Sequence, residues 1–179
     1  QGKLLMLLAL ASNAKRILEI GTLGGYSTIW LARGLAAGGR LVTLELAQQH
    51  ADVARRNIDN AGVGPTVDII VGPAIEALPR LEAHPASPFD LVFIDADKAG
   101  IPGYFGWALQ LTRAGGIIVV DNVVREGELA NAESRDDSVI GVRRFHDLLA
   151  TESRVSATTI QTVGAKGYDG FTLAVRTGG

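Results

Sequence analysis

Asp95, Asp97 and Lys98 fall within four residues at the end of the apolar run Leu91 to Ile94, and Asp121 with Asn122 ends a second apolar run, "GGIIVVDN" (115–122). Two carboxylates and an amide oxygen form a hard-oxygen donor set. Brought together in a partly dry crevice, the carboxylates repel each other, and a divalent cation such as Mg2+, Mn2+ or Ca2+ removes that repulsion. The plainer alternative is that Asp95 or Asp121 caps the next helix, or pairs with Lys98. The metal reading requires the two runs to be neighbouring strands, whose tips would lie about 4.8 Å apart.

Other apolar runs also end in residues that can do chemistry. "EIGTLGGYST" (19–28) supplies Gly21, Gly24 and Gly25 for a tight turn close to a ligand, followed by a helix start. The glycine spacing is not G-x-G-x-x-G. Glu45 follows the next run, about 20 residues beyond the turn, where an acid can accept both hydroxyls of a ribose. Gly72, Pro73 and Ala74 follow the third and leave room for a flat ring against the backbone. Glycine turn and Glu45 together suggest an adenosine-containing cofactor without saying which.

The elements that must position these groups alternate regularly. Apolar strand runs are expected at 15–22, 39–46, 66–72, 89–97 and 115–123, and helical patterns at 26–38, 47–63, 73–83, 101–113 and 136–152. Such alternation predicts βαβ units and a parallel sheet with helices on both faces. The β-rich runs 155–163 and 170–176 have no helix between them and predict an antiparallel hairpin at one edge. In such a sheet ligands sit outside the carboxyl ends of the strands, where all of the residues above fall.

Bulk properties bound the rest. The 179 residues suit one domain with one sizeable core. Apolar residues make up 47% and charged residues 20%, and the net charge of −2 gives no footprint for nucleic acid or an anionic membrane. There is no cysteine, hence no disulfide or thiolate chemistry. No run is long and apolar enough to span a bilayer, and a cytoplasmic enzyme is the default expectation. The chain opens on Gln1 rather than Met, so it is expected to start inside a longer gene product.

"ILEIGTLGGYST", "TLE", "FDLVFIDADK" and "GGIIVVDNV", in that order and spacing, resemble the cation-dependent class I O-methyltransferases, among them the caffeoyl-CoA and catechol enzymes. The resemblance runs from about Gly2 to Val175. It implies a Rossmann-like, doubly wound, seven-stranded and mostly parallel α/β sheet with an antiparallel edge hairpin. It implies S-adenosylmethionine bound by Glu19, Gly21, Thr22, Gly25, Tyr26, Ser27, Glu45, Leu46, Gly72, Pro73, Ala74 and Asp95. It implies a cation on Asp95, Asp121 and Asn122, Lys98 as the base that works beside Asp95, a small aromatic hydroxyl substrate, and a homodimer. The chemistry is coherent: a cation favours the deprotonated form of a bound hydroxyl, and a lysine beside it accepts a proton more readily.

Two departures stand out. Family members carry a preceding helical segment, of which only "QGKLLMLLALA" is expected here. The loop "VVREGELANAESRDD" (123–137) is polar and lacks an aromatic, so a plant-like phenylpropanoid pocket is not evident. Trp30 and Trp107 read as packing, His146 as a surface or capping residue, Arg143 and Arg144 as ion-pair formers, and Tyr168–Asp169 as a turn before the last strand. A nicotinamide-dependent oxidoreductase is the runner-up, permitted by the glycine turn and Glu45 but not by the paired acidic tips. A non-catalytic methyltransferase-like module is the third reading.

Overall fold

The strands pair in the order β3-β2-β1-β4-β5-β7-β6, in a computed structural model that describes residues 1–164 and 167–178. β1 (Arg16–Ile20), β2 (Arg40–Glu45), β3 (Val67–Val71), β4 (Phe89–Ile94) and β5 (Thr112–Asp121) run parallel. β7 (Gly167–Arg176) is antiparallel to both β5 and the edge strand β6 (Val155–Gly164). The expected hairpin is present, with its second strand inserted beside β5. The chain order reverses between β1 and β4, which opens the crevice where ligands bind in such sheets.

Period-two alternation divides each central strand between two faces. Leu18, Ile20, Val92, Ile94, Ile118 and Val120 join one core, closed by α5 (Ile101–Leu111) and α6 (Asp137–Thr151). Ile17, Leu41, Leu91, Phe93 and Val119 join the other, under α1 (Gly2–Ala11), α2 (Tyr26–Arg33) and α3 (Gln48–Asn60). All six residues of β4 are buried, because it has a neighbour on each side and helices on each face. Phe105 and Phe145 meet edge to face at 5.1 Å where α5 and α6 pack.

Some bounds differ from the sequence pattern. α2 stops at Arg33, and the following Gly34 lets α1 pack close, since a Cβ there would lie 2.7 Å from the Cβ of Ala9. The 73–83 segment is a helical turn, α4 (Ala74–Ala77), that continues as a 3-10 helix over Leu78–Ala83 with Pro79 in its first turn. β5 starts at Thr112 rather than 115: Thr112 pairs with Phe89, and the register shifts before Ile117 pairs with Leu91. Tyr168 and Asp169 lie within β7, opposite Val163 and Thr162, rather than in a turn before it. Among the described residues no helix is long and apolar enough to cross a membrane.

Candidate active site

At the carboxyl ends of β1 to β4 lies a cavity of about 620 Å³. The glycine turn forms one wall. Gly21 has φ +106, and a Cβ there would stand 2.1 Å from the carbonyl oxygen of Asp95, so the tips of β1 and β4 touch backbone to backbone. The ladder extends one step past each strand end here, with Asp95 N donating to Ile20 O at 2.9 Å between β4 and β1 and Gly21 N to Leu44 O at 3.0 Å between β1 and β2. Gly25, at φ +81, starts α2 and lets α3 approach, because a Cβ there would meet Ile58 and Ala54.

Glu19 is fully buried beneath this turn. Ser27 Oγ donates to its Oε1 at 2.6 Å, and Thr43 Oγ1 donates to its Oε2 at 2.7 Å alongside Thr28 Oγ1. Burial pushes the carboxyl up to about 7, against the pull of these three hydroxyls. Glu19 thus ties α2 to β1 and β2, and reaches the cavity through Ser27.

Glu45 lines the opposite side. Its Oε2 accepts from Leu23 N at 2.8 Å, its Oε1 accepts from Ala47 N at 3.0 Å, and His50 Nδ1 lies 3.2 Å from Oε1. Partial burial works against its charge, but the two backbone N–H groups and His50 outweigh it and hold the carboxyl below its usual range. The side chain is a fixed acceptor between the glycine turn and α3.

The acidic tips meet as the spacing requires. Ile94 pairs with Val120, so the next residues, Asp95 and Asp121, are adjacent, and both line the cavity. Burial, then the charge of Asp95, pushes the Asp121 carboxyl above its usual range. Asp121 Oδ1 accepts from Asn122 N at 2.8 Å, and Oδ2 accepts from the side-chain amide of Gln1. Lys98 Nζ stands 2.9 Å from Asp95 Oδ1. Asp97 also lines the cavity but is held by its own partners: Tyr104 OH donates to its Oδ1 at 2.6 Å and Gly100 N to its Oδ2 at 2.8 Å, which caps the turn carrying Lys98.

Of the residues singled out from sequence, Gly21, Thr22, Gly24, Tyr26, Ser27, Glu45, Leu46, Gly72, Pro73, Ala74, Asp95, Asp97 and Asp121 line the cavity. Glu19, Gly25, Lys98 and Asn122 are outside that lining set, with Lys98 Nζ 2.9 Å from the lining residue Asp95 and Asn122 next in the chain to the lining residue Asp121. Sequence reasoning missed His50, Ile75 and Tyr104, and also Gln1 with Gly2 and Leu5 of α1, which close one side. The i+5 spacing of His50 from Glu45 across a helix start was the available signal for the first. His146, read as a surface or capping residue, places Nε2 2.9 Å from Val123 O, and Arg143 Nε donates to Leu129 O at 2.9 Å. Both brace the loop after Asn122.

A seven-stranded sheet in this order, with one inserted antiparallel strand and a cavity at the switch point, is the Rossmann-like fold of S-adenosylmethionine-dependent methyltransferases. The chain belongs to the O-methyltransferase family, whose model matches residues 1–177. It is 54% identical over 175 residues to a catechol O-methyltransferase of Mycobacterium tuberculosis, covering 98% of this chain and 78% of that one. Among solved structures it superposes on an O-methyltransferase from Bacillus cereus in complex with SAH, with TM-score 0.96 and 56% identity over 99% of this chain and 80% of the other. TomG from Streptomyces achromogenes, involved in tomaymycin synthesis and solved in complex with SAM, gives the same TM-score, identity and coverage.

Proposed function

We propose that this O-methyltransferase moves the methyl group of S-adenosylmethionine to one hydroxyl of a catechol-like aromatic, with a divalent cation, Mg2+ first among candidates, held by Asp95, Asp121 and Asn122. The observation that carries the reading is the pair Asp95 and Asp121 at adjacent strand tips, with Lys98 Nζ 2.9 Å from Asp95, in the same cavity as Glu45. The donor set fits the ion: two carboxylates repel each other there, Asp121 is held above its usual range, and oxygen ligands suit a hard cation. A cation in that place supplies positive charge that favours the deprotonated form of a neighbouring hydroxyl.

The remaining work falls to the chain. Glu45, fixed by three partners, is placed to accept the ribose hydroxyls. Gly72, Pro73 and Ala74, with Ile75, border the ring of the adenosine. Ser27, oriented by Glu19, and the glycine turn face the methionine end. Lys98 Nζ accepts the hydroxyl proton, and the cavity walls hold donor and acceptor atoms in line, a proximity effect. Catechol O-methyltransferase relatives above half identity favour vicinal dihydroxy acceptors over a nicotinamide reaction. The exposed edge strand β6, with Ile160 and Val163 outward, is the surface through which we expect a homodimer.

The test is methyl transfer to a panel of catechols, with Mg2+ and with chelator, beside calorimetric binding of S-adenosylmethionine. Turnover that requires both cation and vicinal hydroxyls is expected. Full turnover in chelator would overturn the cation's part, and NAD binding without S-adenosylmethionine binding would overturn the whole.

A further inference from the structure

Asp169 is remote in sequence from the site, yet its side chain serves the loop that follows Asn122. Its Oδ1 accepts three backbone N–H groups: Val124 at 3.0 Å, Arg125 at 2.9 Å and Gly170 at 2.8 Å. The next residue, Gly170, accepts Val123 N on its carbonyl oxygen at 3.0 Å. Val123, Val124 and Arg125 thus give all their backbone donors to the 169–170 pair. On the other side of Asn122, Asp121 is fixed by its ladder partner Phe171 in the same strand.

Asn122 is therefore held between two anchors that both belong to β7. It adopts φ +58, a left-handed conformation, and Arg125, Glu126 and Gly127 follow at φ +55, +53 and +84. Each non-glycine residue in that region costs of order 1 kcal/mol or more unless its surroundings impose it. Here the surroundings are identifiable. A carboxylate accepting several N–H groups is a strong, rigid anchor. Tyr168 OH donates to Glu126 O, and no side chain fits at position 170, where a Cβ would stand 2.4 Å from Val124 Cγ2.

We propose that Asp169 is a positioning residue for Asn122: by capturing the backbone after it, Asp169 fixes the left-handed turn that aims the Asn122 amide oxygen at the cation site. The inference rests on the cation reading above and adds a residue that touches neither cofactor nor ion. It explains why the strand beside β5 carries Tyr168-Asp169-Gly170 near its start, three residues that all act on the loop opposite.

The experiment uses Mn2+ as a spectroscopic probe of the whole chain. Electron paramagnetic resonance measures free Mn2+ against protein, calorimetry measures S-adenosylmethionine binding, and steady-state kinetics measure kcat and KM. Asp169→Ala is expected to weaken Mn2+ binding about 10- to 100-fold and to lower kcat, with cofactor affinity within about twofold of wild type. Asp169→Asn, which keeps an acceptor oxygen in the same place, is expected to restore most of the Mn2+ affinity. Unchanged Mn2+ affinity in Asp169→Ala overturns the proposal. So does an Asp169→Ala protein that fails to fold or loses cofactor and cation together, since that marks a general brace, and so does an Asn variant as impaired as the Ala variant. Wild-type protein that binds the cofactor but no Mn2+ removes the cation reading itself, and that arm is read before any variant.

Discussion

Ile94 and Val120 are register partners between β4 and β5, and that pairing sets Asp95 beside Asp121 at the cavity floor. Without a cation the arrangement is costly, since burial and the charge of Asp95 both disfavour an ionised Asp121. Asp121→Asn removes one charge while keeping size. In chelator, Asp121→Asn is expected to melt at or above the wild-type temperature. Adding Mg2+ should raise the melting temperature of the wild type but not of the variant, because only the former keeps both carboxylates of the proposed cation site. Turnover of the variant should fall roughly 10²-fold, with S-adenosylmethionine affinity preserved. Equal Mg2+ stabilisation of both proteins would remove Asp121 from the cation site.

Lys98 brings a side-chain amine to the tip of β4. Its Nζ is 2.9 Å from Asp95, and its side chain is only 12% exposed. In its proposed role as proton acceptor it should account for about 10²- to 10⁴-fold in kcat, the usual range for a positioned general base. Lys98→Ala is expected to show that loss with little change in cofactor binding. Lys98→Arg should not rescue it, because a guanidinium stays protonated. Restoration of turnover by arginine would mean that the residue supplies charge rather than accepting a proton.

Gly21 is the point where two strand tips touch. A methyl group there would sit 2.1 Å from Asp95 O at a backbone φ of +106, so both sterics and conformation oppose it. Gly21→Ala must separate β1 from β4 and displace Asp95. A fall in melting temperature and at least tenfold weaker S-adenosylmethionine binding are expected. Gly106→Ala in α5, where a Cβ meets nothing within 4 Å, should instead be neutral or stabilising by up to about 1 kcal/mol. Similar behaviour of the two variants in calorimetry would show that contact at the strand tips is unimportant.

Much of this was legible in the sequence because each strand is a continuous apolar run closed by a polar or glycine tip. Leu91–Ile94 followed by Asp95, and Ile117–Val120 followed by Asp121, need only parallel neighbouring strands to converge. What stayed hidden depends on contacts between residues far apart in the chain. Glu19 reads as a cofactor ligand, while its hydrogen bonds from Ser27, Thr28 and Thr43 leave no mark in the local pattern. Asp97 reads as part of the charged tip, but Tyr104 and Gly100 claim it. Asp169 reads as a turn residue, because no local pattern reveals that it accepts N–H groups more than forty positions away. α1 reads as an apolar remnant, yet Gly2 and Leu5 wall the cavity once Gly34 lets the helix settle on α2.

Glu19 gives the cofactor-free protein a pH dependence whose sign is fixed by its burial. Its carboxyl moves from 4.5 to about 7 on folding, with desolvation the largest cause. Below about 4.5 both folded and unfolded chains hold the proton, and the contribution to stability is complete. Between 4.5 and about 7 the unfolded chain releases the proton while the folded chain retains it, so stability falls as pH rises. Above that range the loss is complete, on the order of 3 kcal/mol for this one group. Glu19→Gln keeps the shape and cannot titrate. The melting temperature of the wild type relative to Glu19→Gln, followed from pH 4.5 to 8, is therefore expected to decline and then level near neutrality. A difference between the two proteins that stays flat across this range would show that the three hydroxyls, rather than burial, govern Glu19.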